Sequence, residues 1–264
     1  MISGTSYLSR AISLAALLFL PFIAGAQQST LDVPDSLVKK DSIQTIKMLI
    51  VPFNPNMYFS DADKDIGEVS KVDQNQVRNK VSASLESSVS SYLDLYYDVE
   101  GLSKQTDGRD DLDLIFGSIS YSPQEIETPK EEKKSGLKGL REKVKTKQVE
   151  APEEQKDPES YMDIEFADSR LIDYLSSKYG VDYVIFFNQF EIKTDYENCI
   201  DLQMRNYYRE IKVHYSVVGK DGKKISGDVI TIPYNSNENN LQVIVKENFG
   251  QISQMLFNRI YLQK

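Results

Sequence analysis

The sequence predicts an α/β fold: a mixed β-sheet flanked by helices in a three-layer-like arrangement, with a disordered, charged insertion. Three observations predict it. Ile46-Lys47-Met48-Leu49-Ile50-Val51-Pro52-Phe53 is a short, nearly continuous apolar run, which suits a strand buried on both faces of a helix-covered sheet. Residues 73–96 repeat apolar side chains at three- and four-residue steps, the signature of one helix face. Residues 181–234 alternate apolar and polar around an Asp221-Gly222 turn, a strong hairpin signal.

Each element follows from local chemistry. Pro52 marks where the first strand leaves the sheet. Asp73, with Gln76 three residues on, has capping-box spacing at the start of the long helix. Val77, Val81, Leu85, Val89, Leu93 and Tyr96 form its apolar stripe, while Ser82, Ser84, Ser87, Ser88, Ser90 and Ser91 fill other positions. Serines are poor helix formers, so burial of the stripe must hold this helix together. Tyr97-Asp98-Val99 fits a short strand, and 110–121 fits helix or strand equally. Order returns near Tyr161. A helix capped by Asp168 or Ser169 carries Leu171, Ile172, Tyr174 and Leu175 and ends at Gly180. Strands follow at 181–193, 206–218 and 225–234, then a closing helix at 238–262. On the second of these strands Ile211, Val213, Tyr215 and Val217 face one side, and Lys212, His214 and Ser216 the other.

The domain expected at 45–264 is single and is interrupted at 124–160. That insertion holds 9 basic and 10 acidic residues in 37, with three prolines and few large apolar groups, a composition that favours disorder. A flexible lead-in covers 27–44. Residues 1–26 read as a secretory signal peptide. Arg10 precedes an apolar run from Ala11 to Ile23, and Ala24-Gly25-Ala26 supplies a cleavage site after Ala26. The run is too short for a good membrane span. A periplasmic or secreted location follows, with no transmembrane span after cleavage.

The 264 residues carry 31 Lys and Arg against 40 Asp and Glu, a net charge of −9. Such a chain is repelled by phosphate backbones, which disfavours nucleic acid. Cys199 is the only cysteine, so no internal disulfide forms. Its neighbour Glu197 does not favour a thiolate, and it reads as a small apolar packing residue.

The order of elements resembles a periplasmic α/β domain. Over Ile46–Phe53 with the following helix, and over Tyr161–Leu262 with its Tyr179-Gly180-Val181-Asp182-Tyr183 run and Lys-Asp-Gly-Lys turn, the chain is similar to a known group. That group comprises the TolB amino-terminal region, the curli secretion pore subunit and lipoprotein activators of penicillin-binding proteins. The resemblance implies an envelope interaction module without catalysis. The chain departs from the group in having Phe186-Phe187-Asn188 after the strand start, no match to the curli membrane hairpins and no lipid-attachment Cys. These departures argue against a pore-forming or lipid-tethered role.

The loop at 54–65 has the most unusual local sequence. Its aromatics beside carboxylates, and its place after a sheet strand, make Asn54, Asn56, Tyr58, Phe59 and Asp61 the candidate partner-binding residues. Asp61, Asp63 and Asp65 have the spacing of the first three ligands of a calcium loop. Ile66 replaces its glycine and Val72 its closing glutamate. Lys130–Lys147 carries 8 basic and 3 acidic residues. There Lys138, Arg141, Lys143 and Lys145 are candidates for weak contact with an anionic membrane surface or an acidic partner. The bland reading of that stretch is a solvated linker.

Catalysis finds little support. His214 is the only histidine, there is no nucleophile elbow, and zinc chemistry lacks ligands. No cofactor is expected. The reading is an exported, non-catalytic envelope accessory or assembly protein that binds envelope proteins. One alternative is a small-ligand or calcium-binding module using 54–65. Another is a carboxylate-based cell-wall hydrolase.

Overall fold

The computed structural model describes residues 46–126, 160–201, 203 and 206–261. The expected leader, the lead-in and residues 127–159 of the insertion lie outside the described residues, and with them Lys138, Arg141, Lys143 and Lys145. In chain order the elements are β1 (Lys47–Val51), β2 (Tyr58–Ser60), α1 (Asp63–Ser70), α2 (Gln74–Leu93), β3 (Asp98–Gly101), α3 (Gly108–Ser118) and β4 (Ile119–Glu125). Then come β5 (Ser160–Phe166), α4 (Arg170–Tyr179), β6 (Tyr183–Asp201), β7 (Asn206–Gly219), β8 (Lys224–Asn235) and α5 (Leu241–Tyr261).

The main sheet has the order β3-β1-β6-β7-β8, with β2 also paired to β6. β1 is parallel to β3 and β6, and β2 is parallel to β6. β6, β7 and β8 form an antiparallel meander. The sheet is therefore mixed, as expected. Alternation along β1 sends Met48 and Ile50 into a core shared with α2 and α5. It sends Leu49 and Val51 into a second core with α3, α4 and the ribbon of β4 and β5. Helices thus cover both faces, which a strand apolar on both sides requires.

α2 forms as its sequence dictates. Asp73 accepts a hydrogen bond from the Gln76 amide (2.8 Å), and the Gln76 side chain accepts from the Asp73 amide (3.1 Å). Val77, Val81, Leu85, Val89 and Leu93 are all buried, but the helix stops at Leu93 and Tyr96 is exposed. Gly180 ends α4 with φ +65°, and Gly222 takes φ +77° in the turn before β8, conformations that suit glycine.

Three expectations change. The ambiguous stretch 110–121 is both states in succession: α3 ends at Ser118 and β4 starts at Ile119. The insertion is narrower than 124–160, because Gln124, Glu125 and Ser160 pair as strand residues in the β4–β5 ribbon. A helix, α1, occupies the end of the predicted loop and beyond it.

The polar face of β7 is polar but not solvated. β5 lies against β6, β7 and β8, and His214 and Ser216 are buried beneath it. Asn188 occupies a bulge in β6 between Phe187 and Gln189, and its amide meets β5. It donates to the Met162 carbonyl (2.8 Å) and to Ser216 Oγ (2.7 Å). Ser216 donates to Asp163 (2.6 Å), and Lys224 Nζ reaches both Asp163 and the Tyr161 hydroxyl. The Met162 amide donates to His214 Nδ1 (2.9 Å), and His214 Nε2 lies 3.2 Å from Glu191. Lys193 pairs with the same carboxylate at 2.6 Å.

β8 ends the main sheet among the described residues. Its outer edge is closed at Val229, whose amide donates to Asp228 Oδ1 (2.7 Å) and whose carbonyl accepts from Arg259 (2.7 Å). Arg259 also pairs with Asp228 (2.7 Å), and Pro233 further along offers no N–H.

Two outcomes test this architecture. Leu85→Ala should cost about 2–5 kcal/mol in urea unfolding, whereas Leu114→Ala on the exposed side of α3 should stay within about 0.5 kcal/mol. Burial pushes the Glu191 carboxyl upward, but hydrogen bonds from His214 and Lys193 and their charges outweigh it and hold it at about 2 instead of 4.5. Its contribution to stability is therefore complete above the ordinary glutamate range and is lost as pH falls toward that lower value. Glu191→Gln should be less stable than wild type at neutral pH, with the gap narrowing on acidification through that window in pH-dependent urea titrations.

Candidate functional site

The 54–65 segment closes the end of β1 with its own bonds. Asn54 Oδ1 accepts from the Asn56 amide (2.9 Å) and caps a 3-10 turn over Pro55–Met57. Alternation in β2 then turns Tyr58 inward and Phe59 outward. Tyr58 stacks on Phe53 (5.9 Å between ring centroids) and Phe190 (5.7 Å), and its hydroxyl donates to Asp63 (2.6 Å). Burial first, then the Asp63 carboxylate, pushes the Tyr58 phenol far above its usual range.

Asp61 accepts from the Thr194 amide and hydroxyl, both at 2.9 Å. Asp65 pairs with Arg209 (2.8 Å), a buried guanidinium that also donates to Thr194 Oγ1 (2.9 Å) and Asn239 Oδ1 (2.6 Å). The three aspartates with calcium-loop spacing thus go to three different partners. Asp63 and Asp65 enter the first turn of α1, where carboxylates suit the helix dipole. Among the described residues no group of three or more His, Cys, Asp or Glu side chains could hold a metal ion. Of the partner-binding candidates, Asn56 and Phe59 face solvent, Asp61 is exposed but bonded, Asn54 is partly covered, and Tyr58 is a packing residue.

A different surface has the form of a docking site. α2 and α5 lie side by side in the same direction: residues 80–87 of α2 flank 240–246, and Tyr92 meets Phe257. Between them runs a cleft of about 670 Å³ floored by Ala83, Ser84 and Ser87, followed by one of about 400 Å³ at Ser88, Ser91 and Gly250. The two share Val245 and Lys246 and read as one groove. Lys71, Lys80 and Lys246 stand on its rim, and no acidic side chain lines either part. None of the three lysines has an ion-pair partner among the described residues. One end opens onto exposed aromatic and aliphatic surface. Tyr96 stacks on Phe257 (4.3 Å) and Phe257 on Tyr261 (5.6 Å), while Leu95, 72% exposed, projects beside them.

Other charged sites are closed upon themselves. The cleft of about 700 Å³ at Ile46, Asp182, Tyr183 and Lys220 has its charges matched: Lys220 pairs with Asp182 (2.9 Å) and Lys47 with Asp98 (3.3 Å). Asp111 of α3 is buried and accepts from Tyr174 (2.8 Å), Lys178 (2.7 Å) and Tyr179 of α4. Burial opposes its charge, yet the donors from Lys178, Tyr179 and Tyr174 hold the carboxyl below its usual range. That cluster ties α3 to α4.

Sequence reasoning missed the groove lysines. The signal that bore on it was the row of serines in α2, a small-residue face that lets another backbone approach. His214 and Glu191 were missed as a pair because the bulge at Asn188 brings them onto one face.

No protein family matches the chain, and no curated protein matches it. Among solved structures it is similar to the lipoprotein GNA1162 from Neisseria meningitidis, at 12% identity and a TM-score of 0.34, over 82% of this chain and 98% of that one. A likeness at that level carries no functional argument.

The packed and the exposed aromatic of β2 separate cleanly. Tyr58→Ala should lower stability by about 3–5 kcal/mol, and Phe59→Ala should stay within about 0.5 kcal/mol, both read by chemical unfolding.

Proposed function

We propose that this chain is an exported accessory protein of the cell envelope that works without catalysis, by seating a helix of a partner protein in the α2–α5 groove. The carrying observation is the charge of the groove. In a chain of net charge −9 its lining holds three lysines and no acid. Such a rim favours carboxylates on either side of the incoming helix and raises its association rate. The floor of Ala, Ser and Gly lets a partner backbone come close, and the aromatic end offers the rigid anchors that dominate binding energy. Export is supported by the apolar run and cleavage pattern at residues 11–26.

The test uses two labelled amphipathic helical peptides alike in their Ala and Leu stripe, one flanked by Glu and the other by Lys. Three exposed ion pairs at about 0.5 kcal/mol each predict that the full-length chain binds the Glu peptide about tenfold more tightly. Fluorescence anisotropy should show that preference fading with added salt and reversing in a Lys71→Glu, Lys80→Glu, Lys246→Glu variant. Equal binding of both peptides, or a preference untouched by the charge reversal, would overturn the reading.

A further inference from the structure

The β4–β5 ribbon is held in two different ways along its length. Its proximal half is apolar: Ile119, Tyr121, Ile164 and Phe166 join the second core with α3 and α4. Its distal half, Ser122–Glu125 with Ser160–Asp163, meets the sheet through polar contacts at Tyr161, Met162 and Asp163. Met162 stands opposite Pro123, and both of its main-chain polar groups turn to side chains of the main sheet. Its carbonyl accepts from Asn188 and its amide donates to His214 Nδ1 (2.9 Å).

That last bond sets the protonation of the imidazole. A ring nitrogen that accepts carries no proton, so the single proton of His214 sits on Nε2 and points at Glu191, 3.2 Å away. A second proton has only Nδ1 to occupy. There it opposes the Met162 N–H, donor against donor, and leaves a covered amide without an acceptor. The charged and titratable groups around the ring are Glu191 and Lys193 on β6, Glu210 and Lys212 on its own strand, Tyr161 and Asp163 on β5, and Lys224 on β8. Lys193 is already paired with Glu191, Lys212 with Glu210 and Lys224 with Asp163. The second proton leaves the Nε2–Glu191 contact in place and removes the contact with β5.

We propose that His214 is a proton-operated latch: its second proton releases the distal half of the β4–β5 ribbon and uncovers the polar face of β6–β8. The proximal half stays seated on its apolar core, so the ribbon opens as a hinged arm.

Amide exchange in the full chain, corrected for the intrinsic pH dependence of exchange, tests this from about pH 8 to about pH 5. In wild type the protection of Met162 and of 122–125 and 160–163 should fall about tenfold on acidification, the population change that loss of one such hydrogen bond produces, while α2 is unchanged. His214→Gln can accept from Met162 and donate to Glu191 without titrating, and should stay protected at both ends. His214→Ala should be unprotected throughout. Should the alanine variant fail to fold, the comparison of wild type with His214→Gln decides alone. A wild type with constant protection, or a glutamine variant that opens on acidification like wild type, would overturn the proposal.

Discussion

The structure depends on one constraint: β1 and the first half of β6 lie in the middle of the sheet and are apolar on both faces. Met48, Leu49, Ile50 and Val51 are each at most 1% exposed, as are Val184, Ile185 and Phe186. A parallel pair of this kind must be roofed on both sides. α2 and α5 supply one roof; α3, α4 and the proximal ribbon supply the other. The second roof is the less uniform one. Its apolar part covers β1 and the start of β6, and the remainder of the meander is covered by the polar distal ribbon.

That polar cover has a physical logic. Removing Asp163, Asn188, Glu191, His214 and Ser216 from water is unfavourable unless each finds partners; each has at least one hydrogen-bond or ion-pair partner, although the buried Asn188 Oδ1 accepts no hydrogen bond among the described residues. Such a network adds little net stability compared with an apolar replacement, but it tolerates few alternative placements of β5. The Asn188 bulge is the device that makes it work, because an unbroken β6 counted from Phe186 and Phe187 would turn Glu191 to the opposite face, away from His214.

Much of this was legible in the residues. The both-faces-apolar run at 46–53, the Asp73–Gln76 capping box, the stripe of α2 from Val77 to Leu93, the stop at Gly180 and the Asp221-Gly222 turn all reappear as read. What stayed hidden depends on partners distant in sequence. β5 is a strand because β4 pairs with it across the insertion, and α1 was masked by aspartates whose spacing suits an ion loop as well as a helix start. Tyr58 looked like a docking aromatic because its stacking partner Phe190 lies on another strand. The groove lysines come from three separate segments, and only the side-by-side packing of α2 and α5 gathers them.

The sealed rim of β8 has a consequence for how these molecules behave in a crowd. Strand edges are where identical chains zip together, and here the Asp228–Arg259 pair occupies Val229 while Pro233 offers nothing to share. Along this edge a second copy of the chain therefore meets an occupied amide and carbonyl at Val229 and a missing donor at Pro233, which disfavours strand addition to β8.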